Sequence, residues 1–234
     1  MIPVRFLSAA LLLAGGCAPA DRPAPDPFSE SGELIALSGG RSGAQNACFT
    51  CHGLDGGGNG AGAPRLAALD VGYLDAQMEG YASGLRRHSQ MEYIARQLSA
   101  AERQAVSLHY ARMPRPVPPP GDALPAPAVP ASGLPAQALY GSGDPARGLP
   151  ACAACHGRSG EGVGAGNPPL AGQPAAYLAA QLDAWRAGKR RNDPENLMLR
   201  ISRRLTPDEI RSVSAYASAL GGPIPRPEPP ESFP

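Results

Sequence analysis

Aromatic residues are scarce in this chain: its 234 residues include one tryptophan, four phenylalanines and seven tyrosines. Neither half can build a large aromatic core from its own side chains, so a bulky apolar group brought in from outside would have volume to fill. Charge of one sign is also lacking, since 21 Lys and Arg offset 20 Asp and Glu for a formal net charge of +1. That balance leaves no basic footprint for nucleic acid, and no nucleic-acid partner is expected. Long apolar runs are missing too. The stretch from Phe6 to Ala14 is too short to span a bilayer as a permanent helix. No convincing two-residue alternation marks a strand, which points away from sheet folds and towards helices. At this length, with 43% hydrophobic residues, two small domains can be accommodated.

What is present is a doubled short motif. Cys48-Phe49-Thr50-Cys51-His52 and Cys152-Ala153-Ala154-Cys155-His156 each place two thiols two residues apart, followed at once by an imidazole. This spacing suits covalent haem capture, in which the sulfurs bond the two vinyl groups and the histidine becomes an iron ligand. A structural zinc site draws four ligands from pairs close in sequence, whereas these pairs are far apart and each carries its own histidine. A thioredoxin-like dithiol belongs beside a strand-helix-strand pattern, and none is evident. Two haem c groups are therefore expected, held by Cys48 and Cys51 and by Cys152 and Cys155, with His52 and His156 on the irons.

The motif belongs to a repeat. The shift that superimposes the two cysteine pairs also lays Pro64, Leu66, Tyr73, Leu74 and Gln77 on Pro168, Leu170, Tyr177, Leu178 and Gln181, and Gly84, Arg86 and Arg87 on Gly188, Arg190 and Arg191. The second copy then gains three residues, after which Met91, Ile94 and Leu98 match Met198, Ile201 and Leu205. Two copies of one domain are expected, at residues 29–113 and 136–222. Residues 114–135, rich in proline and alanine, read as an extended semi-rigid linker, and 223–234 as a proline-rich tail.

The first 17 residues read as an export signal, followed by a proline-rich leader at 18–28. Ala18-Pro19-Ala20 offers a cleavage site that would release a soluble protein. Ala14-Gly15-Gly16-Cys17 resembles a degenerate lipobox that would leave Cys17 lipidated and attached to a membrane; the unpaired cysteine at the end of the apolar run tilts the reading that way. Either route takes the protein to the periplasm.

Punctuation inside each copy is helical. Ser29 or Ser31 is expected to open the first helix, with Leu34, Ile35 and Leu37 as its apolar side, and Asp144-Pro145 to open its counterpart. Tyr73 to Tyr81 and Tyr177 to Ala187 read as second helices, ended by Gly84 and Gly188. Ser99 with Glu102, and Thr206 with Glu209, are capping boxes for the last helices. The architecture predicted is three helices around a prosthetic group, twice over.

The second axial position decides between electron carriage and small-molecule chemistry. Met91 and Met198 fall at matching places and are the candidate thioether ligands, on a segment that reads as a loop. His88 is the rival in the first copy, although Asn192 stands at its place in the second. Met78 reads as core, Met113 has no counterpart, and His109 reads as a helix-surface or packing residue. Pro64 and Pro168, each twelve residues after its histidine and following a glycine-rich loop, are candidates to accept the histidine's other N–H through their carbonyls. Arg86, Arg87, Lys189, Arg190 and Arg191 could pair with haem propionates, form a docking face or be a solvated charge run.

The second copy strongly resembles the dihaem cytochrome c4 family in Cys152-Ala-Ala-Cys-His156, Asn167-Pro-Pro-Leu-Ala-Gly-Gln-Pro-Ala-Ala-Tyr177-Leu, Trp185-Arg-Ala-Gly-Lys-Arg-Arg-Asn-Asp-Pro194 and Met198. The first is similar in Cys48, Cys51, His52, Pro64, Tyr73, Met91 and the capping box, but departs at Leu66-Ala-Ala-Leu-Asp70. The resemblance, covering residues 29–222, implies an all-α fold of two tandem cytochrome c domains, each wrapped around one covalent haem with His/Met ligation, with propionates facing one another. It implies a bacterial electron carrier, periplasmic or membrane-attached, and not an enzyme. Its expected partners are redox proteins of the respiratory chain, such as a quinol-oxidising complex and a terminal oxidase. The alternative is a cytochrome subunit of a periplasmic dehydrogenase, or a dihaem peroxidase, which would need an openable axial site and positioned acid/base groups.

Overall fold

The computed structural model describes residues 31–59, 62–116 and 134–220. The export signal, Cys17, the leader, most of the linker and the tail lie outside the described residues. In the first half the helices are α1 (Gly32–Ser38), α2 (Phe49–His52), α3 (Val71–Ser83), α4 (Ser89–Gln97) and α5 (Ala100–Arg112). In the second half they are α6 (Ala136–Ser142), α7 (Ala153–His156), α8 (Ala175–Arg186), α9 (Leu197–Arg204) and α10 (Pro207–Ala219). Among the described residues there is no strand, only three isolated bridges. No helix among them is long and apolar enough to cross a membrane.

Local chemistry places most of the helix ends. Ser31 Oγ accepts the Leu34 N–H (3.3 Å), and Asp70 Oδ1 accepts that of Tyr73 (2.9 Å). Both capping boxes close reciprocally, Ser99 with Glu102 and Thr206 with Glu209. Gly84 ends α3 in the left-handed conformation, where a Cβ is disfavoured (φ 77°).

Each half folds around its own core. In the first, α5 packs on α1 and α3, and α3 on α4; in the second, α10 packs on α6 and α8, and α8 on α9. Gly32 lets α1 cross α5 closely, since a Cβ there would lie 2.1 Å from the Ala105 carbonyl oxygen. Ile35, Leu74, Ile94, Leu98 and Tyr110 fill one core, and Leu139, Leu178, Leu205, Ile210 and Val213 the other.

Three expectations need correction. Asp144-Pro145 opens only a 3-10 turn, Pro145–Arg147, because Asp144 and Leu149 exchange backbone hydrogen bonds that fold the chain back (both 2.9 Å). The helix equivalent to α1 is α6, which begins directly after Pro135. Leu34 and Leu37 are exposed, so α1 commits only Ile35 and Ala36 to the core. The segments carrying Met91 and Met198 are helices, α4 and α9, not loops.

Three non-glycine residues among those described take a left-handed φ, Ala68 in the first copy and Glu195 and Asn196 in the second. Ala68 sits at φ 56°, where the second copy has Gly172 at φ 71°. The left-handed region costs a non-glycine residue about 1–2 kcal/mol. Glycine's extra unfolded-state freedom returns about 0.5–1 kcal/mol of that. Ala68→Gly should therefore stabilise the first domain by up to about 1 kcal/mol, read as a higher thermal midpoint. The reverse change, Gly172→Ala, should destabilise, since its Cβ would also meet Arg115 Nη2 at 2.7 Å.

The halves touch through their repeated arginine segments. Arg86 and Arg190 form an antiparallel bridge, Arg87 donates its N–H to Lys189 O (2.8 Å), and Arg191 donates to Leu85 O (2.7 Å). Nearby, the buried Gln173 side chain pairs with the backbone of Arg65, accepting its N–H (3.0 Å) and donating to its carbonyl (2.9 Å).

Candidate functional site

Each cysteine pair and its histidine occupy a single helical turn. Cys48 caps α2 and Cys152 caps α7; in both, the histidine N–H returns to the first cysteine's carbonyl (2.9 Å). That turn carries both thiols and the imidazole. Burial pushes the Cys48 and Cys152 thiols up to about 11, partly opposed by a backbone hydrogen bond and reinforced by the second cysteine of each pair. Thiols held protonated make poor redox nucleophiles. Among the described residues, no group of three or more His, Cys, Asp or Glu side chains is placed to hold a metal ion by itself.

The histidines are set alike. His52 Nδ1 lies 2.8 Å from Pro64 O, and His156 Nδ1 lies 2.9 Å from Pro168 O. A carbonyl only accepts, so each Nδ1 carries the proton and each Nε2 keeps its lone pair for a metal. Burial lowers both imidazoles' proton affinity, the proline carbonyls work against this, and His88 and Arg86 lower that of His52 further. The neutral ring is the ligating form. The glycine loops fold back onto the motif turns through matching bonds, Gly58 N–H to His52 O and Gly162 N–H to His156 O (both 2.8 Å).

In the second half a cavity of about 540 Å³ is lined by Cys152, Cys155, His156, Leu178 and Met198, and its walls extend to Tyr73 and Gln77 of the first half. Its volume falls in the range that holds a compact organic group. Met91, with Met78 and Met113, is partly buried against the first core alongside Cys48.

The first turns of the two methionine helices are held by different side chains. His88 Nδ1 accepts the Met91 N–H (3.3 Å), whereas Asp193 Oδ2 accepts that of Met198 (2.8 Å) while its Oδ1 accepts from Trp185 Nε1 (2.9 Å). Asp193 was missed by sequence reading because it lies in the three-residue insertion. Its signal was an Asx-Pro pair just ahead of a helix. His88, the rival ligand on sequence grounds, stands here as a helix cap.

A polar cluster lies between the halves. The Arg86 and Arg190 side chains are each buried and share the amide oxygens of Gln77 and Gln181. None of the salt bridges among the described residues involves either arginine. Buried cations without acidic partners, beside an apolar cavity that carries the cysteine motif, suit a prosthetic group with an apolar body and anionic edge.

These features define a c-type cytochrome with two sites for covalently bound haem, Cys48 with Cys51 and Cys152 with Cys155. The chain belongs to the cytochrome c family, whose model matches residues 38–110 and 137–220, and within it to the dihaem cytochrome c4-like proteins. It is 43% identical over 81% of its length, and 86% of the other chain, to the thiosulfate dehydrogenase electron acceptor of Stutzerimonas stutzeri. It is 34% identical to cytochrome c4 of Pseudomonas aeruginosa, over 74% of this chain and 83% of that one. Among solved structures it resembles the thiosulfate dehydrogenase TsdBA of Marichromatium purpuratum (TM-score 0.69, 40% identity), matching 83% of this chain and 40% of that longer one. The fold is thus all-α with two cytochrome c domains, the cofactors are two haem c groups, and the role is electron transfer. Each haem iron takes up and releases one electron.

Proposed function

We propose that this protein is the electron acceptor of a thiosulfate dehydrogenase, receiving electrons at two His/Met haems and delivering them to the respiratory chain. The similarity to the Stutzerimonas stutzeri acceptor, higher than to cytochrome c4 over comparable coverage, is the observation that carries this reading. The TsdBA chain, of which this protein matches a part, supports it. Two one-electron centres in one chain also suit a donor that releases electrons in pairs. On this reading His52 and Met91 ligate one iron, His156 and Met198 the other, and no substrate other than the electron is turned over. The protein works in the periplasm, free or held to a membrane through Cys17.

The second reading is a general carrier from a quinol-oxidising complex to a terminal oxidase, supported by the similarity to cytochrome c4. Stopped-flow reduction of the ferric protein separates the two. With thiosulfate and catalytic thiosulfate dehydrogenase, both haems should be reduced at least about tenfold faster than with quinol and a quinol-oxidising complex. Faster reduction by the quinol system would favour the general carrier.

A further inference from the structure

Arg86 and Arg190 are each only 4% exposed, yet every hydrogen bond from their guanidinium groups ends on a neutral acceptor. Arg86 donates to Gln77 Oε1 (3.1 Å) in its own domain, and to Tyr177 OH (2.9 Å) and Gln181 Oε1 (2.7 Å) in the other. Arg190 mirrors this, donating to Gln181 Oε1 (2.9 Å) and Asn192 Oδ1 (3.1 Å) at home and to Gln77 Oε1 (2.8 Å) across the contact. Each guanidinium also stacks on an aromatic ring, Arg86 on Tyr81 (4.5 Å) and Arg190 on Trp185 (3.9 Å).

Two buried like charges so close together are costly without an anion. The chain offers none here among the described residues, but a haem c carries two carboxylates on one edge. Arg190, Gln181, Tyr177 and Gln77 all line the cavity that contains Cys152 and His156. On the other side, Arg86 bonds Gln77 and stacks on Tyr81, both on α3, the helix whose Tyr73 belongs to the core that Cys48 packs against.

We propose that Arg86 and Arg190 form one shared counter-charge for the carboxylates of both haems, so that each arginine sets the reduction potential of the haem in the other domain as well as its own. A positive charge favours the ferrous iron, and in a buried cluster that effect is weakly screened by salt. The inference rests on two attached haems and is independent of which protein donates the electrons.

Redox titration of the purified dihaem protein, with the two haems resolved by their shifted methyl proton resonances, tests it. Arg86→Gln should lower electron affinity about tenfold at both haems, which for a one-electron couple is about 59 mV. Arg86→Lys, which keeps the charge, should leave both potentials close to the parent, whereas a merely steric role would affect Lys and Gln variants alike. If Arg86→Gln fails to load both haems, Gln181→Glu decides, because it keeps the shape while adding a negative charge between the guanidiniums; both potentials should again fall. Movement of only the haem in the substituted residue's own domain, or of neither, overturns the proposal.

Discussion

Replacing Met91 with alanine should remove about half of the weak thioether-to-iron absorption near the red end of the oxidised spectrum, and lower the potential of one haem while sparing the other. The thioether favours ferrous iron, so its loss shifts that centre towards the ferric state. Met91 lies in the first turn of α4, its N–H held by His88, and is partly buried beside Cys48. Met198→Ala should remove the remaining half, because Met198 shares a cavity with His156 and is the one methionine of the second copy. The double variant should lose the band and expose iron that binds cyanide readily. His88→Ala separates cap from ligand: a lost cap costs about 1 kcal/mol and leaves most of the band. If the band persists in full after Met91→Ala, the sixth ligand of the first haem lies elsewhere.

Glu209→Ala should destabilise the second domain by about 3 kcal/mol, lowering its thermal midpoint by more than about 10 °C. The Glu209 side chain is fully buried and accepts from Arg147 Nη2 (2.7 Å), Arg147 Nη1 (3.0 Å) and the Thr206 N–H (2.9 Å). Removing it takes the carboxylate bonded by both Nη atoms from the half-buried Arg147 guanidinium, leaving Asp144 as its remaining carboxylate, and opens the capping box. Among the described residues the one cation paired with Glu102 in the first domain is the exposed Arg41, at 3.8 Å, so Glu102→Ala should cost about 1 kcal/mol, the value of its cap. Differential scanning calorimetry of the two variants compares them directly. The pH dependence has a definite sign. Arg147 holds the Glu209 carboxyl below the ordinary glutamate range. The stabilisation is therefore complete above the unfolded-state value and is lost as pH falls through the lower folded value. In Glu209→Ala that acid-side loss should be reduced.

Features confined to one helical turn were legible in advance. The capping boxes at Ser99 and Thr206 and the left-handed stop at Gly84 each depend on residues within four positions of one another. Departures arose where contacts other than the expected cap overrode or hid the local signal. Asp144-Pro145 has the local form of a helix start, but the backbone pairing of Asp144 with Leu149 and the pull of Arg147 close a turn instead. Leu34 and Leu37 are apolar, yet α1 meets α5 along the side that carries Gly32, Ile35 and Ala36, and that crossing leaves both leucines in solvent. The methionine segments looked irregular because a histidine cap is unusual and Asp193 lies in an insertion without a counterpart.

The sequence by itself determined that the protein is helical, that it is a doubled unit, and that it attaches two haems, because a thiol pair and its histidine need only one turn of helix to act together. Only the tertiary structure decided how the units face each other. Arg86 meets Tyr177 and Asn192 meets Gln77 across 91 and 115 residues of chain. No periodicity specifies such contacts; they follow from two packed cores presenting the same helix face to one another, which buries the cations of both repeats in one shared cluster.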